Sequence, residues 1–176
     1  MNLRRELPLS LNIPVLETDR LILRAFQPRD FEPIVQFFAD PISQFYGGPC
    51  DRDDAWRRLA TYIGHWALRG FGPFALQAKH NDRFVGLCGP WYPEGWIEPE
   101  ITWALMLGHH GQGYATEAAR RALNFAYQDL GWPTAVSVIS VDNPASARVA
   151  ERLGATVESS ITYRYGPAQL YRHAHP

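Results

Sequence analysis

The chain has 176 residues, 46% of them hydrophobic, and a formal net charge of −1 at pH 7. This length fits one domain, and the balanced charge offers no basic field for RNA or DNA, so a nucleic-acid partner is not expected. Cys50 and Cys88 are too few for a disulfide framework or a zinc site, which suggests a reducing cytoplasm without a bound metal, and no apolar run approaches the length of a membrane helix.

The first fourteen residues are predicted to be a flexible arm. They include Glu6, Asn12 and two prolines, whereas a signal peptide would need an uninterrupted apolar core. Residues 15–176 contain no linker, internal repeat or low-complexity tract, so we expect them to form a single domain.

Local signals predict helices and strands along this domain. Asp51 is typical of a helix cap and Gly70 of a helix stop, while β-branched and aromatic runs bounded by turn residues indicate strands. Helices are predicted at residues 30–39, 51–68, 115–130 and 144–153. Strands are predicted at residues 74–78 and 84–89, at 135–141, and at 157–165 and 169–173, the first and last pairs as hairpins.

Residues 108–119, GHHGQGYATEAA, predict a glycine-punctuated turn that enters an amphipathic helix. The first N–H groups of a helix lack intrahelical partners and carry about half a positive charge, so this turn favours a phosphate. Gly111 and Gly113 remove the Cβ atoms that would keep a pyrophosphate away from the amides. The expected amide donors are Gln112, Gly113, Tyr114, Ala115 and Thr116. The turn lacks the lysine of a Walker A loop and the third glycine of a Rossmann fingerprint, so another phosphate-bearing cofactor is predicted.

A second motif follows the strand predicted at 135–141. Asn143 is typical of a helix cap, Pro144 suits the first helical position, and Gly154 suits the helix end. Capping is the simplest role for both Asn143 and Ser146.

Together these motifs resemble the GNAT superfamily of acyl-CoA-dependent N-acyltransferases, especially the branch of ribosomal-protein N-terminal alanine acetyltransferases. Residues 17–24 (ETDRLILR) look like the opening strand of that branch, and residues 100–105 like the strand that leads into the cofactor loop. The motifs at 111–118 and 143–146 look like its two cofactor helices. The resemblance spans nearly the whole chain. It implies an α/β (α+β) fold with a mixed, twisted sheet of about six to seven strands, about four helices, and a splayed central strand pair.

The same resemblance implies a site for acetyl-CoA in the gap between the splayed strands. Backbone groups of Leu105, Met106 and Leu107 should pair with the pantetheine arm, and one of their N–H groups should polarise the thioester carbonyl. Asn143 should hold the pantetheine or the start of its helix, and Ser146 should lie near the thioester sulfur.

The resemblance also suggests catalytic residues. Glu100 matches the glutamate of the family and is predicted to be the general base through a water, although it could instead anchor its strand or receive a cationic substrate. Many relatives carry a tyrosine that protonates the leaving thiolate, but this chain has Ala150 at that position. Another acid must therefore serve, and Ser146 is a candidate. Gly108 also departs from the Gln or Arg that many members carry.

Recognition of the acceptor is expected from segments 45–54 and 91–98 and from the final hairpin. Aromatic faces and carboxylates both attract ammonium groups, and these segments are rich in both. The predicted substrate-binding residues are Tyr46, Trp91 and Trp96, with core packing as the alternative role for these rings.

The leading hypothesis is an acetyl-CoA-dependent N-acetyltransferase that uses direct attack in a ternary complex, because no Cys or Ser stands in a nucleophile-base arrangement. The acceptor would be a primary amine, either a protein N-terminus or a small molecule such as an antibiotic, polyamine or amino acid. A non-catalytic acyl-CoA sensor is the alternative, and the absent Walker lysine disfavours a nucleotide-binding protein. No membrane partner is expected, and a homodimer is left open.

Overall fold

A computed structural model describes residues 11–164 and 166–175. The described strands are β1 (Leu16–Glu17), β2 (Leu21–Arg24), β3 (Phe74–Ala78), β4 (Phe84–Trp91), β5 (Glu100–Leu105), β6 (Val136–Ser140), β7 (Thr156–Tyr163) and β8 (Gly166–Arg172). The described α-helices are α1 (Phe31–Ala39), α2 (Arg52–Arg69), α3 (Tyr114–Gln128) and α4 (Pro144–Arg152), with 3₁₀ turns at Pro28–Asp30 and Pro41–Tyr46. The strands form one sheet in the order β1-β2-β3-β4-β5-β6-β8-β7.

The predicted fold class is confirmed, with one strand more than expected. The segment predicted as a single opening strand divides into β1 and β2 because Thr18 makes a turn. Its N–H donates to the Leu21 carbonyl at 3.0 Å, and its hydroxyl accepts the Leu21 N–H at 2.9 Å. The first ten residues of the predicted flexible arm lie outside the described residues.

Helix α2 begins and ends where the capping residues of the sequence predict. Asp51 caps α2 by accepting the Asp54 N–H, and Gly70 ends it at φ +75°. Helix α3 buries an alanine-rich stripe against the sheet, including Ala118, Ala119 and Ala122, whose small side chains allow close packing. No helix among the described residues is long and apolar enough to cross a membrane.

The central strands β5 and β6 are parallel and pair at Glu100 and Val136, after which they diverge. Buried backbone groups need other partners where a ladder stops. The Ser137 hydroxyl donates to the Ile101 carbonyl at 2.7 Å, and the Val138 N–H donates to the Glu100 carboxylate. Side chains thus replace the missing ladder, and the predicted splayed pair is confirmed.

A buried ion pair ties β2 to the turn before α1. The Arg24 guanidinium donates to both carboxylate oxygens of Asp30, at 2.7 and 2.9 Å, and to the Gln77 side-chain oxygen at 2.6 Å. The Asp30 side chain has no exposed surface, and that of Arg24 is 8% exposed. Hydrogen bonds between Arg24 and Asp30 therefore replace the water that both side chains lose on burial. A buried charge is tolerated under this condition.

Candidate active site

A cavity of about 350 Å³ opens where β5 and β6 diverge. Its walls come from α2, the end of β4, strands β5 and β6, the start of α4 and the β7–β8 turn. The predicted site residues Tyr46, Trp91, Trp96, Glu100, Asn143 and Ser146 all line it. Residues distant in the sequence therefore meet in one place.

Glu100 is the buried carboxyl group of this cavity, with 5% of its surface exposed. The Trp96 indole N–H donates to Oε2 at 2.7 Å, and the Val138 N–H also donates to the carboxylate. Burial raises the pKa of Glu100 to about 8, because the loss of solvent outweighs the two hydrogen bonds that lower it. A carboxyl with this pKa is partly ionised near neutral pH, and its ionised form can accept a proton from an amine.

Ser146 lies between two aromatic residues. The Trp103 indole N–H donates to its Oγ at 3.3 Å, and the Tyr46 hydroxyl makes a second hydrogen bond to its side chain. Burial raises the pKa of Tyr46 to about 12, the bond to Ser146 opposes that rise, and the charge of Glu100 adds to it. The phenol therefore stays protonated at physiological pH. Sequence reasoning assigned Tyr46 to substrate binding and did not single out Trp103.

Tyr46 reaches Ser146 from the 3₁₀ turn before α2. Arg58 on α2 supports this turn by donating to the carbonyls of Tyr46 and Gly47 at 2.9 and 2.6 Å. Ala150 is fully buried in α4 and offers no proton. A protic side chain is thus brought to Ser146 by the 3₁₀ turn before α2 and not by α4, the helix that carries Ala150.

Asn143 acts as the predicted helix cap. Its Oδ1 accepts the Ser146 N–H at 3.1 Å, which fixes the first turn of α4. Because both residues also line the cavity, the cap sets the position of the Ser146 hydroxyl in the site.

A wall of aromatic rings covers one side of the cavity. Tyr62, Trp91, Trp96 and Tyr163 follow one another edge to face, with centroids 5.5, 6.1 and 5.2 Å apart. His65 stacks on Trp91 at 4.8 Å. The His65 ring is fixed because its Nδ1 bonds the Phe71 carbonyl at 2.6 Å and its Nε2 accepts the Tyr92 N–H at 3.1 Å.

The acidic residues expected around the acceptor serve mostly in structural contacts. Asp51 caps α2, Asp54 pairs with Arg57, and Glu98 pairs with Arg172 at 2.6 Å. Glu94 does line the cavity, and its exposed side chain pairs with Arg69 at 3.1 Å. The aromatic residues of the substrate prediction therefore line the cavity, whereas most of the acidic ones form a cap or ion pairs.

The predicted phosphate loop lies on the surface between β5 and α3. Gly111 and Gly113 have φ values of +74° and +81°, so both use the left-handed region that favours glycine. Among the described residues, no side chain caps α3 at Gly113. The N–H groups of the first turn of α3 are therefore available for an anion. Within the described residues, no group of three His, Cys, Asp or Glu could hold a metal ion.

The backbone prediction for residues 105–107 needs one correction. The Met106 N–H donates to the Val85 carbonyl at 3.0 Å, and the Met106 carbonyl accepts the His109 N–H at 3.2 Å. Neighbouring residues of a strand direct their backbone groups to opposite edges. The backbone N–H and C=O of Leu105, which lies opposite Gly86 of β4, therefore point towards the splayed gap, whereas the Met106 N–H points towards β4.

Comparison with known proteins agrees with this geometry. The family model described as "Acetyltransferase (GNAT) domain" matches residues 20–156. The Bacillus subtilis protein YkkB is 30% identical over 165 residues, which cover 89% of this chain and 93% of YkkB. The crystal structure of an acetyltransferase from Agrobacterium tumefaciens is 34% identical with a TM-score of 0.85, covering 97% of this chain and 99% of that one.

Ribosomal-protein-S5-alanine acetyltransferase from Vibrio fischeri has the same fold, with a TM-score of 0.69 at 14% identity over 91% of this chain and 96% of that one. The family model covers well over half of the chain, and the motifs that it spans are those that form the loop, the splayed strands and the cavity. The chain therefore belongs to the GNAT acetyltransferase family.

Proposed function

We propose that this protein transfers the acetyl group of acetyl-CoA to a primary amine by direct attack in a ternary complex. The main support is that a buried carboxyl group with a pKa near neutrality and a hydrogen-bonded pair of hydroxyl groups line the same cavity. A proton acceptor and a proton donor are what this reaction needs, because the amine loses a proton and the leaving sulfur gains one.

The residues around the splayed strands suit acetyl-CoA. The first-turn N–H groups of α3 suit its pyrophosphate, and the backbone edge of β5 at Leu105, together with Leu107, suits its pantetheine arm. Asn143 would contribute mainly by holding the start of α4. When bound, acetyl-CoA supplies an acetyl group activated as a thioester.

Glu100 is the proposed base, acting directly or through a water. An α-amine, with a pKa of about 7.7–8.0, is partly neutral at pH 7, whereas a lysine near 10.4 costs roughly 3.5 kcal/mol more to deprotonate. The pKa of Glu100, about 8, is close to that of an α-amine. An acceptor with a weakly basic amine would therefore need little further activation.

Ser146 and Tyr46 are the proposed acid, with Ser146 donating to the sulfur and Tyr46 restoring its proton. The charge of Glu100 is one cause of the raised Tyr46 pKa. Once Glu100 has accepted the amine proton, its contribution to the raised pKa of the phenol is removed, while the larger contribution of burial remains. Transfer of the amine proton to Glu100 would thus favour donation of the Tyr46 proton, through Ser146, to the leaving sulfur. Ser146 and Tyr46 would supply the proton that a tyrosine at position 150 would otherwise supply. The absence of that tyrosine was the feature that favoured a non-catalytic sensor.

The aromatic wall favours an acceptor with one ammonium group on an apolar body, such as a protein N-terminus or a small monoamine. Aromatic rings bind a single cation well. A polyamine would need several available carboxylates, and most of those near the cavity are engaged in caps or ion pairs.

The first experiment is a thermal melt with excess acetyl-CoA and with ATP as the control. At a hundred times the dissociation constant, binding stabilises a fold by about 2.7 kcal/mol, which corresponds to roughly 5–10 °C for a chain of this size. We expect this increase with acetyl-CoA alone. Equal increases with both ligands would indicate a general nucleotide site, and no increase would refute the proposed cofactor.

Substitution of Gly113 tests the phosphate loop directly. Valine strongly disfavours φ +81°, and its Cβ would lie 3.3 Å from the Arg20 guanidinium, so the loop should change shape. We expect Gly113→Val to weaken acetyl-CoA binding about 10- to 100-fold, the equivalent of about 1–3 kcal/mol of backbone strain.

Gly131→Val is the matched control, because Gly131 also has a positive φ, +67°, but lies beyond the other end of α3. Its strain should lower stability without changing the dissociation constant of acetyl-CoA. Isothermal titration calorimetry measures both variants. Equal affinities for Gly113→Val and the wild type would contradict the placement of the pyrophosphate.

A further inference from the structure

Helix α3 has an acidic residue in the turn that is proposed to receive the pyrophosphate. Glu117 lies four residues after Gly113, and a carboxylate there could occupy the helix amides or repel a bound anion. An unpaired negative charge at this point would oppose cofactor binding. The contacts of Glu117 show how the fold avoids this conflict.

The Glu117 carboxylate is bonded entirely by the turn between β1 and β2. Oε1 accepts the Thr18 hydroxyl at 2.6 Å and the Arg20 backbone N–H at 2.9 Å. Oε2 accepts the Arg20 Nε–H at 2.6 Å and lies 2.6 Å from a second guanidinium nitrogen. These contacts lower the pKa of Glu117 against the opposing effect of burial. The carboxylate is thus neutralised by Arg20 and directed away from the helix amides.

The same guanidinium also holds the phosphate loop. Its other nitrogen donates to the Gln112 carbonyl at 2.9 Å, and the group lies 4.8 Å over the Tyr114 ring. In a trans peptide the C=O and the following N–H point in opposite directions. With the Gln112 carbonyl directed to Arg20, the Gly113 N–H is directed away from it. Arg20 therefore sets the orientation of a peptide at the centre of the loop.

We propose that Arg20 is a positioning residue for the pyrophosphate of acetyl-CoA. It neutralises Glu117 and orients the Gln112–Gly113 peptide, so that the amides of the loop remain available to the anion. This inference rests on the proposed function. It assigns a role in cofactor binding to the turn between β1 and β2, which contacts the loop at Gln112 from 92 residues away in sequence.

Substitution of Arg20 alone and together with Glu117 tests whether Arg20 acts by neutralising the Glu117 carboxylate. Arg20→Gln leaves Glu117 as an unpaired anion beside the loop, and we expect it to raise the dissociation constant of coenzyme A about tenfold or more. Arg20→Gln combined with Glu117→Gln removes that anion and should recover part of the affinity. If Arg20 served only to stabilise the fold, the double variant would bind no better than the single one.

The experiment is calorimetric titration of coenzyme A into the wild type, the two single variants and the double variant. Lys79→Gln is the matched control, because the Lys79 side chain forms an ion pair at 2.7 Å with Glu17, three residues before Arg20 in the sequence. It should bind coenzyme A as the wild type does. Pantetheine, which has no pyrophosphate, should bind the wild type and Arg20→Gln equally.

The outcomes separate this proposal from the proposed function. If the wild type binds coenzyme A and Arg20→Gln binds it equally well, the role of Arg20 is overturned while the cofactor stands. If the wild type does not bind coenzyme A, both fail. Should Arg20→Gln not fold, Arg20→Lys keeps the charge but loses the branched contact, so affinity equal to that of the wild type would overturn the orienting role.

Discussion

Substitution of Glu100 by glutamine is expected to lower kcat/KM for acetyl transfer by about 10²- to 10⁴-fold, the usual contribution of a positioned base. Glutamine keeps the shape of the neutral acid but cannot accept the amine proton. The affinity for coenzyme A should not change. The measurement is steady-state kinetics with an amine acceptor, combined with calorimetric titration of coenzyme A.

The pH dependence gives this prediction a second readout. Because the pKa of Glu100 is raised to about 8, its basic form increases as the pH rises through that value, and wild-type activity should rise with it. The ionisation of the amine itself affects both proteins equally, so the ratio of wild-type to Glu100→Gln activity isolates Glu100. This ratio should increase between pH 6 and 9. A constant ratio, or a loss of less than threefold, would contradict the role of Glu100 as the base.

Two controls accompany the substitution. Glu32→Gln removes a carboxylate that pairs with Arg52 on the surface, and it should leave kcat/KM unchanged. The Glu100→Gln protein should also fold at least as stably as the wild type above pH 4.5. Folding raises the pKa of Glu100 above its value in the unfolded chain, so the contribution of this carboxyl to stability is fully present below the unfolded pKa. That contribution is lost as the pH rises through the folded pKa, a loss that glutamine does not undergo.

Substitution of Arg24 by alanine is expected to destabilise the fold by about 3–5 kcal/mol, the range measured when one partner of a buried ion pair is removed. Asp30, which has no exposed surface, would lose both guanidinium bonds and gain no solvent in their place. For a chain of this size, the melting temperature should fall by roughly 6–20 °C. Urea unfolding followed by circular dichroism measures the free energy of unfolding.

Arg52→Ala is the matched control for this effect. Arg52 pairs with Glu32 through a similar contact, but more than half of each side chain is exposed to solvent. Exposed pairs contribute about 0–1 kcal/mol, so the cost of Arg52→Ala should be several times smaller than that of Arg24→Ala. Equal costs for the two variants would show that burial does not determine the importance of the Arg24–Asp30 pair.

The sequence could predict features that depend on a few consecutive residues. The Asn143 cap, the turn at Gly113 and the end of α2 at Gly70 were predicted correctly, because capping bonds and positive φ values are properties of the local backbone. The family motifs are local in the same sense, and their order along the chain was enough to predict the splayed sheet.

The direction of individual backbone groups in these segments could be predicted only from the strand register. Three consecutive residues, 105–107, were expected to pair with the cofactor, but Met106 bonds β4 instead. The alternation of backbone groups along a strand is known in advance. Which residue faces which edge depends on the pairing of β5 with β4, and the sequence does not encode that pairing locally.

Only the tertiary structure decides which side chains meet. Tyr46 contacts Ser146 across a hundred residues of sequence, Arg20 contacts Glu117 across 97, and Trp103 contacts Ser146 from strand β5. The pKa of Glu100 likewise depends on how completely the surrounding elements exclude water. Local patterns determine where the chain turns and which faces are apolar, whereas proximity and solvent exclusion arise when separate elements pack. The sequence of this protein therefore determined its family and the turn at Gly113, whereas packing decided which side chains surround Ser146 and Glu100 and which residues hold that turn.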